Sequence, residues 1–308
     1  MQTKKRHRMK RTIGENIFIT VNGIFLTLFF VITLYPIIYV FSASFSEPTA
    51  VASGKMVLFP VGFSLDGYDH VLRYKEIWSG YANTIFYTVV GTIINLVVTI
   101  PCAYALSRKD MHGRNVVMTL FIITMYFSGG LIPTYLNMSG FGLVNTRWAL
   151  LLSGVISTYN MIVARTFFAN NIPMELQEAA YLDGCSTFKL FLKIVLPLSA
   201  PIIVVMSLYY GVGHWNQYFQ AMIYLRDRDL YPLQVILKEI LTQSQFSSSA
   251  LSEGGFSPSE IEEMMRLSDM ADRMKYCIIV VSTAPMLAIY PWLQKYFAKG
   301  AMIGSVKG

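Results

Sequence analysis

Long apolar stretches alternate with short polar segments along most of this chain. Six stretches reach roughly the 20 apolar residues that a helix needs to cross a bilayer, and they lie at 17–41, 81–106, 115–135, 148–168, 200–224 and 276–297. Lipid offers no partner for an open backbone hydrogen bond, so each stretch is predicted to be helical. The pattern therefore predicts an all-α polytopic membrane protein with six transmembrane helices.

The first apolar stretch leaves two interpretations open. It follows a basic segment, 1–16, as the apolar core of a secretory signal peptide would. Its length exceeds the roughly 7–15 residues of such a core, which favours a transmembrane helix. Prolines within or near the ends of several stretches predict kinks or helix ends: Pro36, Pro101, Pro133, Pro285 and Pro291.

The composition excludes a soluble domain. Hydrophobic residues make up 54% of the chain and charged residues 14%, whereas soluble domains carry about 25% charged residues. The net charge of +7 would suit nucleic acid, but the basic residues cluster at the ends of apolar stretches, so no nucleic-acid partner is expected. Cys102, Cys185 and Cys277 form no CxxC pair and are predicted to be free thiols. The four histidines have no metal-like spacing, and no metal site is predicted.

The distribution of Lys and Arg predicts that both termini are cytoplasmic. The basic N-terminal tail dominates this orientation, and long translocated loops count little. The segments 107–114 and 169–199 and the C-terminal tail 298–308 then lie inside, while the loops 42–80 and 225–275 lie outside. The chain is expected to be a multi-pass membrane protein.

The inner loop 171–200 has the pattern of a helix, a turn and a second helix. Glu175 and Glu178 suit a helix N-terminus, and Gly184 suits the left-handed position at a helix C-terminus. Ser186 is able to cap a second helix that Pro197 ends. A short helix of this kind either docks in a groove of another protein or lies at the membrane surface as an amphipathic helix. The residues alone leave both interpretations open.

The spacing within this loop carries a family resemblance. Glu178-Ala179-Ala180, then Gly184 after three residues, Ile194 after nine more, and Leu196-Pro197 resemble the EAA loop of binding-protein-dependent ABC importer permeases. The remainder of 12–308 is similar to the second permease subunit of the maltose transporter and more closely to Gram-positive polysaccharide or oligosaccharide permeases. The longer loop 225–275 departs from the maltose relative and puts maltose in doubt as the substrate.

The resemblance implies a permease domain, 17–297, in a heteromeric importer of a bacterial plasma membrane that takes up an oligosaccharide. The implied partners are a second permease subunit, two ATPase subunits, an extracytoplasmic solute-binding protein and membrane lipid. ATP and magnesium belong to the ATPase subunits, since this chain has no GxxxxGK[ST] phosphate loop and no cofactor of its own is expected. The residues expected to couple to the ATPase are Glu178, Ala179, Ala180, Asp183 and Gly184.

Two alternative functions remain open at this stage. An ABC permease for amino acids or metal ions would have the same coupling loop. An intramembrane enzyme, such as a lipid-linked sugar transferase, would need a titratable cluster near a membrane face. Within the six stretches the only Lys, Arg, Asp or Glu residues are Arg165 and, near the end of the last stretch, Lys295. They form no titratable cluster, so a catalytic role is disfavoured and no catalytic residue is assigned.

Polar and aromatic residues within the spans are candidates for the substrate path. Sugars bind through hydroxyl hydrogen bonds and aromatic stacking, and polar groups in a span face the bundle interior. The alternative is helix-to-helix hydrogen bonding or an interfacial aromatic belt. The candidates are Tyr210, His214, Trp215, Asn216, Tyr126 and Asn83.

The outer loop 225–275 is predicted to contain an amphipathic helix at 232–243, because its apolar residues recur at helical spacing. The segment 244–256 is rich in Ser, Gln and Gly and is predicted to be flexible. A capping box with proline at the first position starts another helix at 257–260. The apolar stripe is expected either to dock the solute-binding protein or to pack on the membrane or the second permease subunit.

Overall fold

The computed structural model describes residues 12–253 and 257–305 of the 308-residue chain. Within these ranges the backbone forms helices and turns, with one isolated bridge between Ser46 and Phe63 and no β-strand. Most of the described residues lie in helices. The predicted all-α class is confirmed for the part of the chain that the structure describes.

The first half of the bundle is built around one long central helix. Its helices are α1 Ile13–Ser44, α2 Pro48–Ala52, α3 Asp66–Arg73, α4 Lys75–Ser107, α5 Arg114–Tyr126, α6 Leu131–Gly140, α7 Arg147–Leu152 and α8 Thr158–Asn171. The second half contains α9 Met174–Leu182, α10 Thr187–Leu190, a π-helical turn Phe191–Val195, α11 Leu196–Leu198, α12 Ala200–Trp215, α13 Phe219–Tyr224, a 3₁₀ turn Arg228–Leu230, α14 Leu233–Glu253 and α15 Pro258–Ser305.

The helices fit the predicted spans in different ways. Among the described residues, α1 and α4 are each long and apolar enough to cross a membrane. Two pairs reach that length and hydropathy only together, and both are bent, α5 with α6 by 116° and α10–α11 with α12 by 79°. The predicted span 115–135 is split between α5 and α6, 148–168 between α7 and α8, and 200–224 between α12 and α13, while 276–297 forms part of α15. Three of the predicted spans are therefore broken where a single helix was expected, and the number of membrane crossings stays a prediction.

Helix α1 lies at the edge of the bundle, with most of its length exposed. A capping box starts it, in which the Thr12 hydroxyl accepts from the Glu15 amide at 3.3 Å and the Glu15 carboxylate accepts from the Thr12 amide at 2.8 Å. Its apolar side chains are mostly exposed until Ser42, and it packs against α15, where Tyr39 and Tyr276 meet edge to face. An apolar helix with this exposure requires lipid or another apolar surface around it.

Helix α4 is the centre of the bundle and packs against α12, α8, α7 and α14. One apolar cluster surrounds its C-terminal end and includes Tyr104, Phe168, Leu190 and Met206. A second cluster surrounds its N-terminal end and includes Ile77, Leu233 and Met274. The loops 171–200 and 225–275 consequently lie at opposite ends of α4, as membrane loops on opposite faces must.

The apolar stripe of α14 is buried within the chain. Leu233 and Ile236 are buried, and Leu237 and Ile240 pack against the same cluster with α3, α4 and α15. The predicted amphipathic helix is confirmed, but the stripe is already covered by this chain's own helices. It therefore gives no support to docking of a solute-binding protein, and neither alternative predicted for the stripe describes it.

The predicted flexible segment 244–256 is helical as far as Glu253, and 254–256 lie outside the described residues. That prediction is wrong for 244–253, because serine and glutamine do not end a helix that lacks glycine and proline. Helix α15 begins at Pro258 as predicted and continues through the predicted last span. It also takes in the predicted tail from residue 298 to Ser305, and 306–308 lie outside the described residues.

Candidate functional site: coupling loop and polar core

The loop between α8 and α12 folds as the helix, turn and helix expected from its sequence. Pro173 is the N-cap residue of α9, one position before the predicted first turn. Gly184 has φ of +74°, the left-handed conformation that glycine adopts without steric cost. The Ser186 hydroxyl then caps α10 by accepting from the Lys189 amide at 3.4 Å. Pro197 lies in α11, just before the bend at Ser199 that leads into α12.

Helix α9 buries one side and exposes the other. Gln177 and Ala180 face the bundle, and Ala180 belongs to the apolar cluster at the C-terminal end of α4. Leu182 is 90% exposed and Phe188, across the turn, is 72% exposed. Met174 and Tyr181 are also exposed, and the other exposed positions combine carboxylates with small residues: Glu175, Glu178, Ala179, Asp183 and Gly184. Four of the five predicted coupling residues therefore lie on the open surface, and Ala180 lies beneath it.

The polar residues of α12 are tied to α4 and α8 by buried hydrogen bonds. The Tyr210 hydroxyl pairs with the Thr99 hydroxyl at 2.8 Å and accepts from the Ser157 amide, at the start of α8, at 3.2 Å. His214 is 8% exposed, and its Nε2 lies 2.7 Å from Asn95 Oδ1. Because these groups are satisfied within the chain, their partners fix the spacing of three helices.

Asn95 connects this cluster to the break between α7 and α8. Its Nδ2 donates to the carbonyl of Val155 at 2.6 Å and also lies 3.4 Å from the carbonyl of Gly154. With its amide nitrogen engaged by carbonyls, Oδ1 is the atom that accepts from His214 Nε2. Gln217, just after α12, reaches the Leu150 carbonyl at 3.4 Å. Asn95 of α4 thus binds the break between α7 and α8, and Gln217, in the break between α12 and α13, binds α7. We call Asn95, Thr99, Tyr210, His214 and Gln217 the polar core.

The other predicted path residues lie in different environments. The Asn83 amide donates to the carbonyls of Asp229 and Tyr231, at 2.7 and 3.1 Å, and thereby holds the outer loop. Trp215 is buried and donates to the Ser282 carbonyl on α15 at 3.2 Å. Asn216 is exposed and donates only to the Val212 carbonyl of its own helix, and Tyr126 is 76% exposed at the end of α5. The structure does not bring these six side chains together on one surface.

Sequence reasoning missed Gly91, Thr99 and Gln217 in this region. Gly91 lies so close to His214 that an added Cβ would stand 2.4 Å from Nε2 of the imidazole ring. Thr99 holds Tyr210. A signal was present, because Tyr87, Gly91, Asn95 and Thr99 recur every four residues and therefore share one face of α4. Such a stripe of small and polar residues is typical of close helix packing in membranes.

Comparison with known proteins gives the family. A family model described as a binding-protein-dependent transport system inner membrane component matches residues 77–303. The polygalacturonan/rhamnogalacturonan transport system permease protein YtcP of Bacillus subtilis (strain 168) is 41% identical over 284 residues, covering 92% of this chain and 96% of that protein. Protein LplC of the same strain is 38% identical over 302 residues, covering 98% of this chain and 99% of that protein.

A solved structure has the same fold. It is a crystal structure of a bacterial ABC transporter involved in the import of the acidic polysaccharide alginate, and one of its chains matches with a TM-score of 0.81 at 35% identity, covering 94% of this chain and 99% of that chain. A bundle of apolar, partly broken helices with a polar core and an exposed loop helix defines an integral membrane permease. This chain belongs to the family of binding-protein-dependent transport system inner membrane components.

Proposed function

We propose that this chain is one permease subunit of a bacterial ABC importer that takes up an oligosaccharide. Its partners are a second permease subunit, two ATPase subunits and an extracytoplasmic solute-binding protein, and both of its termini are cytoplasmic. The chain is not catalytic and holds no cofactor, since ATP and magnesium act in the ATPase subunits. The observation that carries the proposal is the exposed surface of α9, in a chain of this family.

The substrate class is narrowed by two relatives. YtcP is named for polygalacturonan and rhamnogalacturonan, and the solved transporter is described as importing alginate, an acidic polysaccharide. We propose that the substrate of this importer is an oligosaccharide that contains uronic acid. A permease for amino acids or metal ions has no comparable support among these relatives.

Uptake by the host bacterium tests this substrate class. Deletion of the gene is expected to abolish uptake of radiolabelled galacturonate oligomers and to leave uptake of neutral glucose oligomers of the same length unchanged. The full chain supplied in trans restores uptake. If the deletion strain took up both sugars normally but no longer took up an amino acid or a metal ion, the proposed substrate class would be wrong.

Docking of the ATPase to α9 is tested by cross-linking. We expect Leu182→Cys, in a chain without its native cysteines, to cross-link to an ATPase subunit, because Leu182 is 90% exposed on α9. Leu72→Cys is the matched control, since Leu72 is also exposed but lies at the opposite end of the bundle. If Leu182→Cys gave no more ATPase adduct than Leu72→Cys, α9 would not be the docking helix.

The translocation path lies, in our proposal, between the two permease subunits, and Asn216 and Tyr126 face it. Both side chains are exposed, so they remain free to contact a sugar or the second subunit. The other four candidates form hydrogen bonds within the chain, which favours a role in holding the helices together: Tyr210, His214, Trp215 and Asn83. Their predicted role in lining the path stays a prediction.

Asn216→Ala is expected to raise the KM for transport by about two- to tenfold, the effect of losing one hydrogen bond worth ~0.5–1.5 kcal/mol. Expression and thermal stability are expected to be unchanged, because Asn216 is exposed and its side chain hydrogen-bonds to its own helix. Asn115→Ala is the control, an exposed asparagine on α5 near the coupling-loop end. Equal KM values for the two variants would remove Asn216 from the path.

A further inference from the structure

Arg108 is the first residue after α4, where it forms the C-cap of that helix. Its side chain is only 11% exposed although it lies in a short loop between two helices. The guanidinium binds the Asp110 carboxylate through two nitrogens, with Nε at 2.8 Å from Oδ1. This bidentate pair fixes the plane of the guanidinium and directs its remaining nitrogen away from Asp110.

The remaining nitrogen of Arg108 reaches the coupling helix. Nη1 donates to the Tyr181 hydroxyl at 2.9 Å, and the Tyr104 hydroxyl of α4 lies 3.5 Å away. The guanidinium carbon also stands 5.7 Å from the centre of the Tyr181 ring and 6.0 Å from that of Tyr104. These positions lie within the range of cation–π attraction. Arg108 therefore links the end of α4 to α9 through both hydrogen bonds and ring contacts.

Tyr181 extends this link across the turn at Gly184. Its hydroxyl pairs with the Thr187 hydroxyl at 3.2 Å, at the start of α10. The Thr187 hydroxyl, followed by Arg108, holds the pKa of Tyr181 below its ordinary value, and Arg108 does the same for the pKa of Asp110. Both shifts reflect direct bonds to the guanidinium or to a neighbouring hydroxyl. One arginine thus contacts the helix that precedes the turn and, through Tyr181, the helix that follows it.

The end of α4 is firmly held where Arg108 meets it. The Tyr104 ring packs against Phe168 at 5.6 Å and Phe191 at 5.3 Å between ring centres. Arg165 Nε donates to the Leu106 carbonyl at 2.9 Å. A force applied to Arg108 therefore acts on α4 as a whole, and α4 carries Asn95 and Thr99 of the polar core.

The other contacts of α9 with the bundle do not include a directional hydrogen bond like that between Arg108 and Tyr181. Ala180 lies in an apolar cluster, and the Gln177 side-chain oxygen is buried without a hydrogen-bond partner. Among the residues that the structure describes, Tyr181 is the α9 side chain that hydrogen-bonds a residue outside the coupling loop. Apolar contacts resist separation but allow sliding, whereas a fixed guanidinium resists both.

We propose that Arg108 is the positioning residue that transmits movement of the coupling helix to α4 and hence to the polar core. This inference rests on the proposed function, in which α9 contacts the ATPase. Removal of the Arg108–Tyr181 bond leaves α9 free to move without α4. ATP is then hydrolysed with less sugar transported.

The test uses the complex purified from host membranes through a tag on this chain and reconstituted in vesicles. The measured quantity is ATP hydrolysed per radiolabelled galacturonate oligomer transported. Arg108→Gln is expected to raise this ratio about threefold or more, within the roughly two- to hundredfold changes that interaction energies between contacting residues correspond to. Tyr181→Phe, which removes one hydroxyl from a partly exposed ring, is also expected to raise the ratio. The double variant, Arg108→Gln with Tyr181→Phe, is expected to raise the ratio little beyond the value for Arg108→Gln alone.

Two further variants separate positioning from charge. Arg108→Lys keeps the charge but cannot hold Asp110 and Tyr181 at once, so its ratio is expected to stay raised. Lys109→Gln, which removes an exposed charge one residue away, is expected to leave the ratio at its normal value. A purely structural role for Arg108 would lower hydrolysis and transport together, in proportion to the amount of assembled complex.

Each outcome decides the inference. A normal ratio in both Arg108→Gln and Tyr181→Phe, or a parallel loss of both activities, would overturn it. The Leu182→Cys cross-link, measured in the same preparations, separates this failure from failure of the proposed function. A normal cross-link with a normal ratio rejects the Arg108 inference alone, and absence of the cross-link in Leu182→Cys with Arg108 intact rejects both.

Discussion

Replacing Gly91 by valine is expected to prevent α4 and α12 from packing and to leave little folded permease in the membrane. A Cβ at Gly91 would lie 2.4, 2.5 and 2.8 Å from three atoms of the His214 ring, which is closer than side chains tolerate. Moving the ring aside would disturb both of its hydrogen bonds, between Nε2 and Asn95 Oδ1 at 2.7 Å and between Nδ1 and Gln217 Oε1 at 3.2 Å. Overpacking of a core typically costs about 1–3 kcal/mol, and leaving the His214–Asn95 pair broken and buried adds roughly 1–3 kcal/mol.

The measurement is the thermal unfolding midpoint of the purified chain in detergent, together with its yield from membranes. Gly213→Val is the matched control, since Gly213 lies on α12 with no atom within 4 Å of an added Cβ. A second-site change identifies the cause. If the ring is responsible, Gly91→Ala combined with His214→Ala is more stable than the sum of the two single changes predicts. Equal midpoints for Gly91→Val and Gly213→Val would contradict this account.

The sequence predicted where the apolar spans lie but not where they break. Residues 127–130 interrupt the span between α5 and α6, and Gly130 there has a φ of +86°. Glycine and serine barely lower the mean hydropathy of a window, so a break within an apolar run has little effect on the pattern that predicts the span. A break leaves backbone carbonyls without a partner in their own helix, and in the membrane these carbonyls need a partner elsewhere in the chain. The carbonyls of Gly154 and Val155 have such a partner in Asn95, which only the tertiary structure identifies.

Some features of the candidate site are likewise predictable from the sequence, and others depend on tertiary packing. The helix, turn and helix of the coupling loop follow from local signals, namely the acidic first turn, Gly184 and the serine cap, and the structure has all three. The depth of each residue does not follow from local signals, and Ala180 lies under the surface that Ala179 exposes. Within the spans, polarity predicted that Tyr210 and His214 face the bundle interior. It did not predict whether their partners belong to this chain or to a substrate, because that depends on the packing of three helices.

The same distinction applies to α14. Periodicity correctly predicted an amphipathic helix, and the sequence could not predict which surface covers its apolar side. That side is covered by α3, α4 and α15 through contacts between residues far apart in the chain. An amphipathic pattern therefore predicts that a helix has a packing partner, and the partner has to come from tertiary structure.

Replacing Gly184 by valine is expected to uncouple ATP hydrolysis from transport while the chain still inserts into the membrane. Gly184 has a φ of +74°, a conformation that costs an L-residue about 1–2 kcal/mol and is worst for a β-branched side chain. No atom lies within 4 Å of an added Cβ, so backbone strain is the main effect, and relief of that strain turns the exposed end of α9 and Leu182 with it. The proposed docking surface then meets the ATPase in the wrong orientation.

The substitutions Gly184→Asn, Gly184→Ala and Gly184→Val form a graded series at this position. Asparagine tolerates the left-handed conformation, so Gly184→Asn is expected to retain most of the substrate-stimulated ATPase activity, with alanine intermediate and valine lowest. Gly140→Val is the control, because Gly140 ends α6 without a positive φ and has no atom within 4 Å of an added Cβ. The readout is ATPase stimulation by the loaded solute-binding protein in assembled complexes of equal amount. Normal stimulation in Gly184→Val would show that the geometry of this turn does not set the docking surface.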